Sequence, residues 1–329
     1  MSDDYDLKLI NMADVEAKEV TWLWYPFFPM NKLTIIQGDP GEGKTTLILE
    51  IAARLSKGEP ILEGDVAREP VNIIYQTAED GLADTIKPRL VAANADTSRI
   101  FVIDESKQSL TMTDNRLREA LEETRAKLVI LDPLQAYLGA NIDMHRANEI
   151  RPIMSKLSAL AEKYECAIVL IGHMNKATGL KTTYRGLGSI DITAAARSVL
   201  LVSRLKDNPT VRVMAQIKSN LAPENSPIAF ELNKETGFKF IGDFNISIDD
   251  LLNGAESSSK LNQAEDFLRD FLSDNKPKPY ETIKKQAAYR SISLRTLAEA
   301  KKNIRADSKK IGKIWYWKLD NQECNNPCE

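Results

Sequence analysis

Long apolar runs are absent from this 329-residue chain, which excludes a membrane-spanning helix. Cysteine is scarce. Cys166, Cys324 and Cys328 are too few for a disulfide framework, so a reducing cytoplasm is the expected compartment. Cys324 and Cys328 are spaced like half of a metal clip, but no histidine or further cysteine lies near them, and they read as a frayed tail. The chain opens on Asp3, Asp4 and Asp6, where a secretory signal would carry positive charge. Compositional bias is lacking as well. With 43% hydrophobic and 28% charged residues, the composition is that of a soluble globular protein with room for one large α/β domain and a small one.

Charge, by contrast, is unevenly spread. The formal net charge is −3, yet residues 276–318 hold thirteen lysines and arginines against Glu281, Glu299 and Asp307. That segment carries +10 and leaves −13 for the remainder. An acidic body with a basic C-terminal segment points to a polyanionic partner; a solvated lysine-rich surface is the alternative that charge alone leaves open.

The stretch Gly38-Asp39-Pro40-Gly41-Glu42-Gly43-Lys44-Thr45-Thr46 fits G-x-x-x-x-G-K-[ST] at every required position. Glycines let successive backbone N–H groups turn inward around phosphate oxygens. Lys44 supplies a mobile cation for the β- and γ-phosphates of ATP, and Thr45 a hydroxyl for Mg²⁺. The flanks agree with the loop. Leu33-Thr34-Ile35-Ile36 predicts a buried strand, and Leu47, Ile48, Ile51, Ala52 and Leu55 recur at helical spacing up to Gly58. Phosphates would then sit at a helix N-terminus, where the dipole favours anions.

The rest of the chain is organised around this loop. Residues 1–30 form a lead segment ending in the aromatic–proline cluster 22–29, too broken for a helix and expected to pack on the first strand. Over 31–252, apolar strands (71–75, 100–103, 128–131, 167–171) alternate with helices (82–93 with Pro88 inside, 115–126, 150–164). Such alternation implies an α/β domain with a mostly parallel sheet covered on both faces. The runs 199–202, 211–217 and 228–232 are expected as antiparallel additions to it. Small polar residues over 253–260 mark a linker. Residues 261–320 show three helical patterns and a basic hairpin, the outline of a winged helix, and 321–329 form a tail.

Asp132 ends an apolar strand, which at the carboxyl edge of a parallel sheet puts it beside the phosphate loop as the second anchor for Mg²⁺. Hydrolysis also needs a carboxylate that orients water. Pro133 and Leu134 follow Asp132, so the candidates lie after the second strand, at Glu79 and, less favoured, Asp80; spacing alone leaves a plain surface acid open.

The ordered set of Gly38 to Thr45, Glu79, Leu131-Asp132-Pro133-Leu134 and Ile171-Gly172-His173-Met174-Asn175-Lys176 resembles the RecA-like ATPases, and within them the RepA-like branch of the hexameric replicative helicases. The runs Asp143 to Arg151 and Arg185-Gly186-Leu187-Gly188-Ser189 leading to Arg197 are similar to the same branch. The resemblance spans residues 22–241 and implies a RecA-like P-loop core. Glu79 would be the water-activating glutamate and His173 a polar sensor of the γ-phosphate. Lys176, Lys181, Tyr184 and Arg185 would lie on a loop that meets single-stranded DNA in a central channel. Basic groups and an aromatic suit that task, though a solvated loop is a rival.

One departure stands out. Where the resemblance implies a lysine and, two residues on, an arginine reaching the neighbouring subunit's nucleotide, the chain has Lys218 and Asn220. Arginine fingers elsewhere contribute roughly 10³–10⁵ in rate, so Lys218 must suffice, Arg197 or Arg212 must contribute, or turnover is slow. In the C-terminal module, Arg295 and Lys302 lie off the apolar stripe of the third helix and Lys309, Lys310 and Lys313 on the hairpin, placed for duplex DNA or for a protein. The expectation is a cytoplasmic, ring-forming, hexameric Mg²⁺-dependent ATPase that acts on DNA as a replicative helicase. An ATP-switched DNA-binding regulator and a RecA-like repair or recombination ATPase are the alternatives.

Overall fold

The computed structural model describes residues 9–319, apart from 141, 174–189, 224, 234, 254–256, 274–275, 291 and 313. The chain divides into two compact units, Met1–Ser203 with Arg212–Asp243, and Arg204–Val211 with Phe244–Glu329.

The first unit begins with β1 (Trp22–Trp24) and β2 (Phe28–Pro29), paired antiparallel. As the aromatic–proline cluster foretells, Trp24, Phe27 and Phe28 are buried in one core with Ile36 of β3 (Leu33–Gly38). Then come α1 (Lys44–Lys57), β4 (Ile73–Thr77), α2 (Lys87–Ala92), β5 (Ile100–Phe101), α3 (Asn115–Thr124) and β6 (Leu128–Asp132). They are followed by α4 (Ala147–Lys163), β7 (Ala167–His173), α5 (Ile190–Ala195), β8 (Ser198–Arg204), β9 (Val211–Ser219), β10 (Ile228–Asn233) and β11 (Gly237–Asp243). Nine strands form one sheet in the order β11-β10-β9-β8-β3-β7-β6-β4-β5. Pairing is parallel from β8 through β5, so the run 199–202, expected as an antiparallel addition, instead joins β3 in parallel, and β10 meets β11 antiparallel. With the phosphate-loop strand between β7 and β8, this is a RecA-like P-loop NTPase core.

Both faces of the sheet are buried, which is why its strands read as unbroken apolar runs. Ile36, Ile73, Tyr75, Leu128 and Ile130 face the core that α1 covers; Ile35, Ile74, Val129 and Leu131 face the one filled from α3 and α4. The strands also share an end. Gly38 is in register with His173, and Thr77 with Asp132, so four consecutive strand ends deliver their loops to one edge.

The helix predicted over 82–93 is in two parts. Residues 82–86 wind as a wider turn, with the Ile86 N–H donating to Gly81 O at 3.0 Å, and α2 begins at Lys87. Pro88 thereby falls in a first turn, where its missing N–H costs little.

The second unit holds α6 (Ile248–Asn253), α7 (Ser257–Phe271), β12 (Lys278–Pro279), α8 (Tyr280–Tyr289), α9 (Leu294–Asn303), β13 (Asp307–Ile311) and β14 (Ile314–Lys318). α7 starts at Ser257, inside the stretch read as a linker; its serines occupy the first turn, where they are well tolerated. Ala264, Phe267, Leu268, Ile283, Leu297, Ile304 and Trp317 form a separate core. The Ser293 hydroxyl caps α9, accepting the Thr296 N–H at 3.1 Å. The strands form a sheet in the order β12-β14-β13. Among the described residues no helix is long and apolar enough to cross a membrane.

Candidate functional site

The loop between β3 and α1 is shaped by two glycines. A Cβ on Gly38 would stand 2.2 Å from the Val202 carbonyl oxygen of β8. Gly43, at the N-cap of α1, has φ +88°, and a Cβ there would meet Leu232 Cδ1 at 2.6 Å. Lys44 follows as the first residue of α1 and is only 4% exposed. Its ammonium donates back to Gly38 O at 2.9 Å and Asp39 O at 2.8 Å, on which phosphate oxygens would compete for it. Burial lowers its pKa, and Asp132, Glu42, Asp39 and Glu79 oppose that shift with their negative charge.

Asp132, at the end of β6, is 6% exposed. One oxygen, Oδ2, accepts the Thr45 hydroxyl at 2.7 Å and the Tyr75 hydroxyl of β4 at 3.2 Å. Burial raises the carboxyl's pKa, and the two hydrogen bonds pull it back down. Tyr75 is pushed up by burial and by the charge of Asp132, so its hydroxyl stays a donor. A hydroxyl and a buried carboxylate held together, with both donors hard oxygens, fit Mg²⁺, which keeps several waters and takes few protein ligands. Thr45 and Asp132 are the residues that would hold it.

The third group crosses the edge to β7. The Lys44 ammonium lies 3.4 Å from Nδ1 of His173. An ammonium only donates, so Nδ1 is the acceptor and Nε2 carries the proton. Nε2 in turn lies 3.8 Å from Glu79 Oε1, longer than a hydrogen bond but facing it. Asp80 is turned elsewhere: its carboxylate meets Arg89 at 3.0 Å and its N–H donates to the Thr77 hydroxyl at 3.3 Å. Lys44, Thr45, Glu79, Asp132 and His173 thus meet around one strand edge.

A phosphate loop at α1, an acidic strand end beside it and a polar residue on the next strand make up an ATPase edge, and a comparison with protein families places it. The profile of the family described as "AAA domain" matches residues 5–179, just over half of the chain. The chain belongs to the AAA domain family. Among curated proteins, the DNA repair protein RadA of Streptococcus pneumoniae is 22% identical over 252 residues, 76% of this chain and 54% of that protein. RadA of Halalkalibacterium halodurans is 24% identical over 250 residues, 75% of this chain and 49% of its own. The chain therefore spans about half the length of these relatives. Among solved structures, a KaiC-like protein of Pyrococcus horikoshii aligns with a TM-score of 0.46 at 18% identity, over 65% of this chain and 90% of that one.

As a P-loop ATPase of this family, the chain leaves some expected residues elsewhere. Lys218, on β9, donates to the carbonyls of Thr193 (2.8 Å), Ala194 (3.1 Å) and Ala196 (2.8 Å), at the C-terminal end of α5. Burial and the neighbouring Arg197 lower its pKa. The Asn220 N–H donates to Arg197 O at 3.1 Å. Arg212, also on β9, has Nε 3.4 Å from the place of a Gly43 Cβ, so it backs the phosphate loop of its own chain. Lys176, Lys181, Tyr184, Arg185 and Lys313 lie outside the described residues. Arg295 is on α9, Lys302 is exposed on the same helix, and Lys309 and Lys310 are exposed on β13. Sequence reasoning missed Tyr75. Its signal was a hydroxyl-bearing aromatic in an aliphatic strand, since a buried tyrosine hydroxyl finds a partner.

Proposed function

We propose that this chain is a Mg²⁺-dependent ATPase that acts on DNA as a ring-forming motor of the replicative-helicase type. The line Lys44–His173–Glu79 carries the reading, because it ties the phosphate loop to the strand end from which residues 174–189 depart. ATP draws the Lys44 ammonium from Gly38 O and Asp39 O onto the β- and γ-phosphates, and His173 loses its donor. Glu79 orients the attacking water, and His173 passes the state of the γ-phosphate on to the segment carrying Lys176, Lys181, Tyr184 and Arg185. Mg²⁺, when bound at Thr45 and Asp132, neutralises charge on the phosphate oxygens. The exposed cations of the second unit, a winged-helix-like module in this reading, recruit duplex DNA.

A second reading, a repair or recombination ATPase, is favoured by the relatives that bear the name DNA repair protein. The two part in a forked-duplex assay, where a motor separates strands by itself.

The decisive measurement is ATP turnover with and without single-stranded DNA. Wild type should be stimulated by DNA. Lys44→Ala and Glu79→Gln should each lose turnover by about 10²-fold or more, with Glu79→Gln still binding ATP. Turnover indifferent to DNA would sink the motor, and full activity in Glu79→Gln would remove Glu79 from its role. Sizing with and without nucleotide tests the hexameric ring.

A further inference from the structure

The β13–β14 hairpin carries an aromatic side chain that the core of its unit does not use. Trp317 is 8% exposed, its ring 5.1 Å from that of Tyr280 and beneath the Lys301 ammonium at 5.2 Å. Trp315, two residues away and so on the same face of β14, is 49% exposed. The sheet itself explains the contrast. β12 pairs with β14 only at Lys278↔Trp317 and Pro279↔Tyr316, so Trp315 stands beyond the end of the three-stranded part. Across the hairpin its partner is Lys310, whose ammonium lies 6.0 Å from the ring centroid. Every residue of β13 is exposed, and neither Lys309 nor Lys310 forms an ion pair among the described residues.

An indole half in water is unfavourable, and Lys310 on the same face carries its charge without a carboxylate partner among the described residues. One kind of ligand relieves both: a chain that brings negative charge together with flat, accessible π-faces. Single-stranded nucleic acid does so, whereas a duplex keeps its bases stacked on one another. We infer that the hairpin is a single-strand-binding site, with a base stacked on Trp315 and a flanking phosphate on Lys310, the lysine that shares its face. The inference rests on the DNA-acting reading above and adds a contact separate in sequence from residues 174–189. An anionic membrane would also meet a tryptophan beside a lysine, but the ATPase edge of the first unit and the similarity to proteins named DNA repair protein favour nucleic acid.

The test uses the full chain with oligothymidine about 30 nucleotides long, a duplex of the same length, and phosphatidylserine vesicles. Trp315→Ala should weaken oligothymidine binding about 5- to 100-fold, and Trp315→Phe should recover most of it. Duplex binding should change less than about twofold, and the salt slope should stay put because no phosphate contact is lost. Lys310→Gln should instead lower that slope by about one. Oligothymidine should quench tryptophan emission in wild type, and that component should be missing in Trp315→Phe. The melting temperature should be that of wild type in all three variants. If Trp315→Ala binds oligothymidine as wild type does, the inference fails while DNA-stimulated turnover keeps the earlier reading intact. Loss of vesicle binding alone assigns the hairpin to a membrane and also overturns it. If wild type binds no oligothymidine, both readings fall.

Discussion

Asp132 is held by two hydroxyls from residues distant in sequence, Thr45 at 87 positions and Tyr75 at 57. The Tyr75 hydroxyl shares Oδ2 with Thr45, so it holds the carboxylate in one orientation. Hydrogen bonds to charged groups contribute about 1.5–3 kcal/mol, so Tyr75→Phe should weaken ADP binding about tenfold or more when Mg²⁺ is present. Without Mg²⁺ the affinity should hardly move. An equal loss in both titrations would show that Tyr75 acts only through general packing.

Burial also holds the Asp132 carboxyl above the ordinary aspartate range. Because the folded-state pKa is raised, the folded protein keeps this proton more tightly than the unfolded chain does. Ionisation therefore removes stability as pH rises through the window above the ordinary value. A divalent cation competes with that proton and restores the lost stability. With ADP present, the rise in melting temperature on adding Mg²⁺ should be larger near about pH 7.5 than near about pH 5. Asp132→Asn should abolish the difference; a pH-independent rise in wild type would contradict it.

The elements show where periodicity is a sufficient guide. The central strands were legible because a strand buried on both faces is an apolar run, and α1 because its apolar positions recur at helical spacing. The 82–93 segment was not: its apolar pattern persists through Pro88, and only the backbone shows the chain restarting its helix at Lys87. Nor does any pattern report how closely β8 passes the phosphate loop. Gly38→Ala would set a methyl group 2.2 Å from a backbone oxygen, which cannot swing aside as a side chain can. The expected loss is about 1–3 kcal/mol in a thermal melt, together with loss of ADP binding in a titration. A normal melt and normal affinity would mean that the loop yields at little cost.

Lys218 belongs to this scale too, since it ties β9 to the end of α5. A cation on helix-terminal carbonyls contributes about 0.3–1 kcal/mol, so Lys218→Met should lower the melting temperature of the unassembled chain slightly. If Lys218 also serves a neighbouring subunit, it must first leave three carbonyls. Specific turnover should then rise with protein concentration in wild type and stay flat in Lys218→Met. A wild-type rate per subunit independent of dilution would exclude that role.

In the molecule as a whole, two cores divide the labour that composition hints at. The first unit has its own buried interior on both sides of the sheet, and the second has another built from α7, α8, α9 and β14. A chain ending at Asn253 should bind ADP and Mg²⁺ within about twofold of the full chain, because every residue of the candidate site precedes it. The same chain should lose most of the salt dependence of polyanion binding, since it lacks the segment of net +10. Retention of a steep slope would place the polyanion contacts in the first unit.

The sequence by itself determined the phosphate loop, the strands that deliver it, the acid at the end of β6 and the basic C-terminal segment. These are properties of consecutive residues: a glycine pattern, an apolar run, a local excess of charge. Only the tertiary structure decided which groups meet across that chemistry. It brought Tyr75 to Asp132 and His173 between Lys44 and Glu79, and it turned Asp80 aside onto Arg89. It also left Trp315 in solvent where Trp317, on the same face, is buried. The meetings at Asp132 and His173 depend on how strands that are distant in sequence lie in register at a shared edge, and the Trp315 contrast on where β12 stops pairing with β14; neither is encoded in the spacing of residues along a chain.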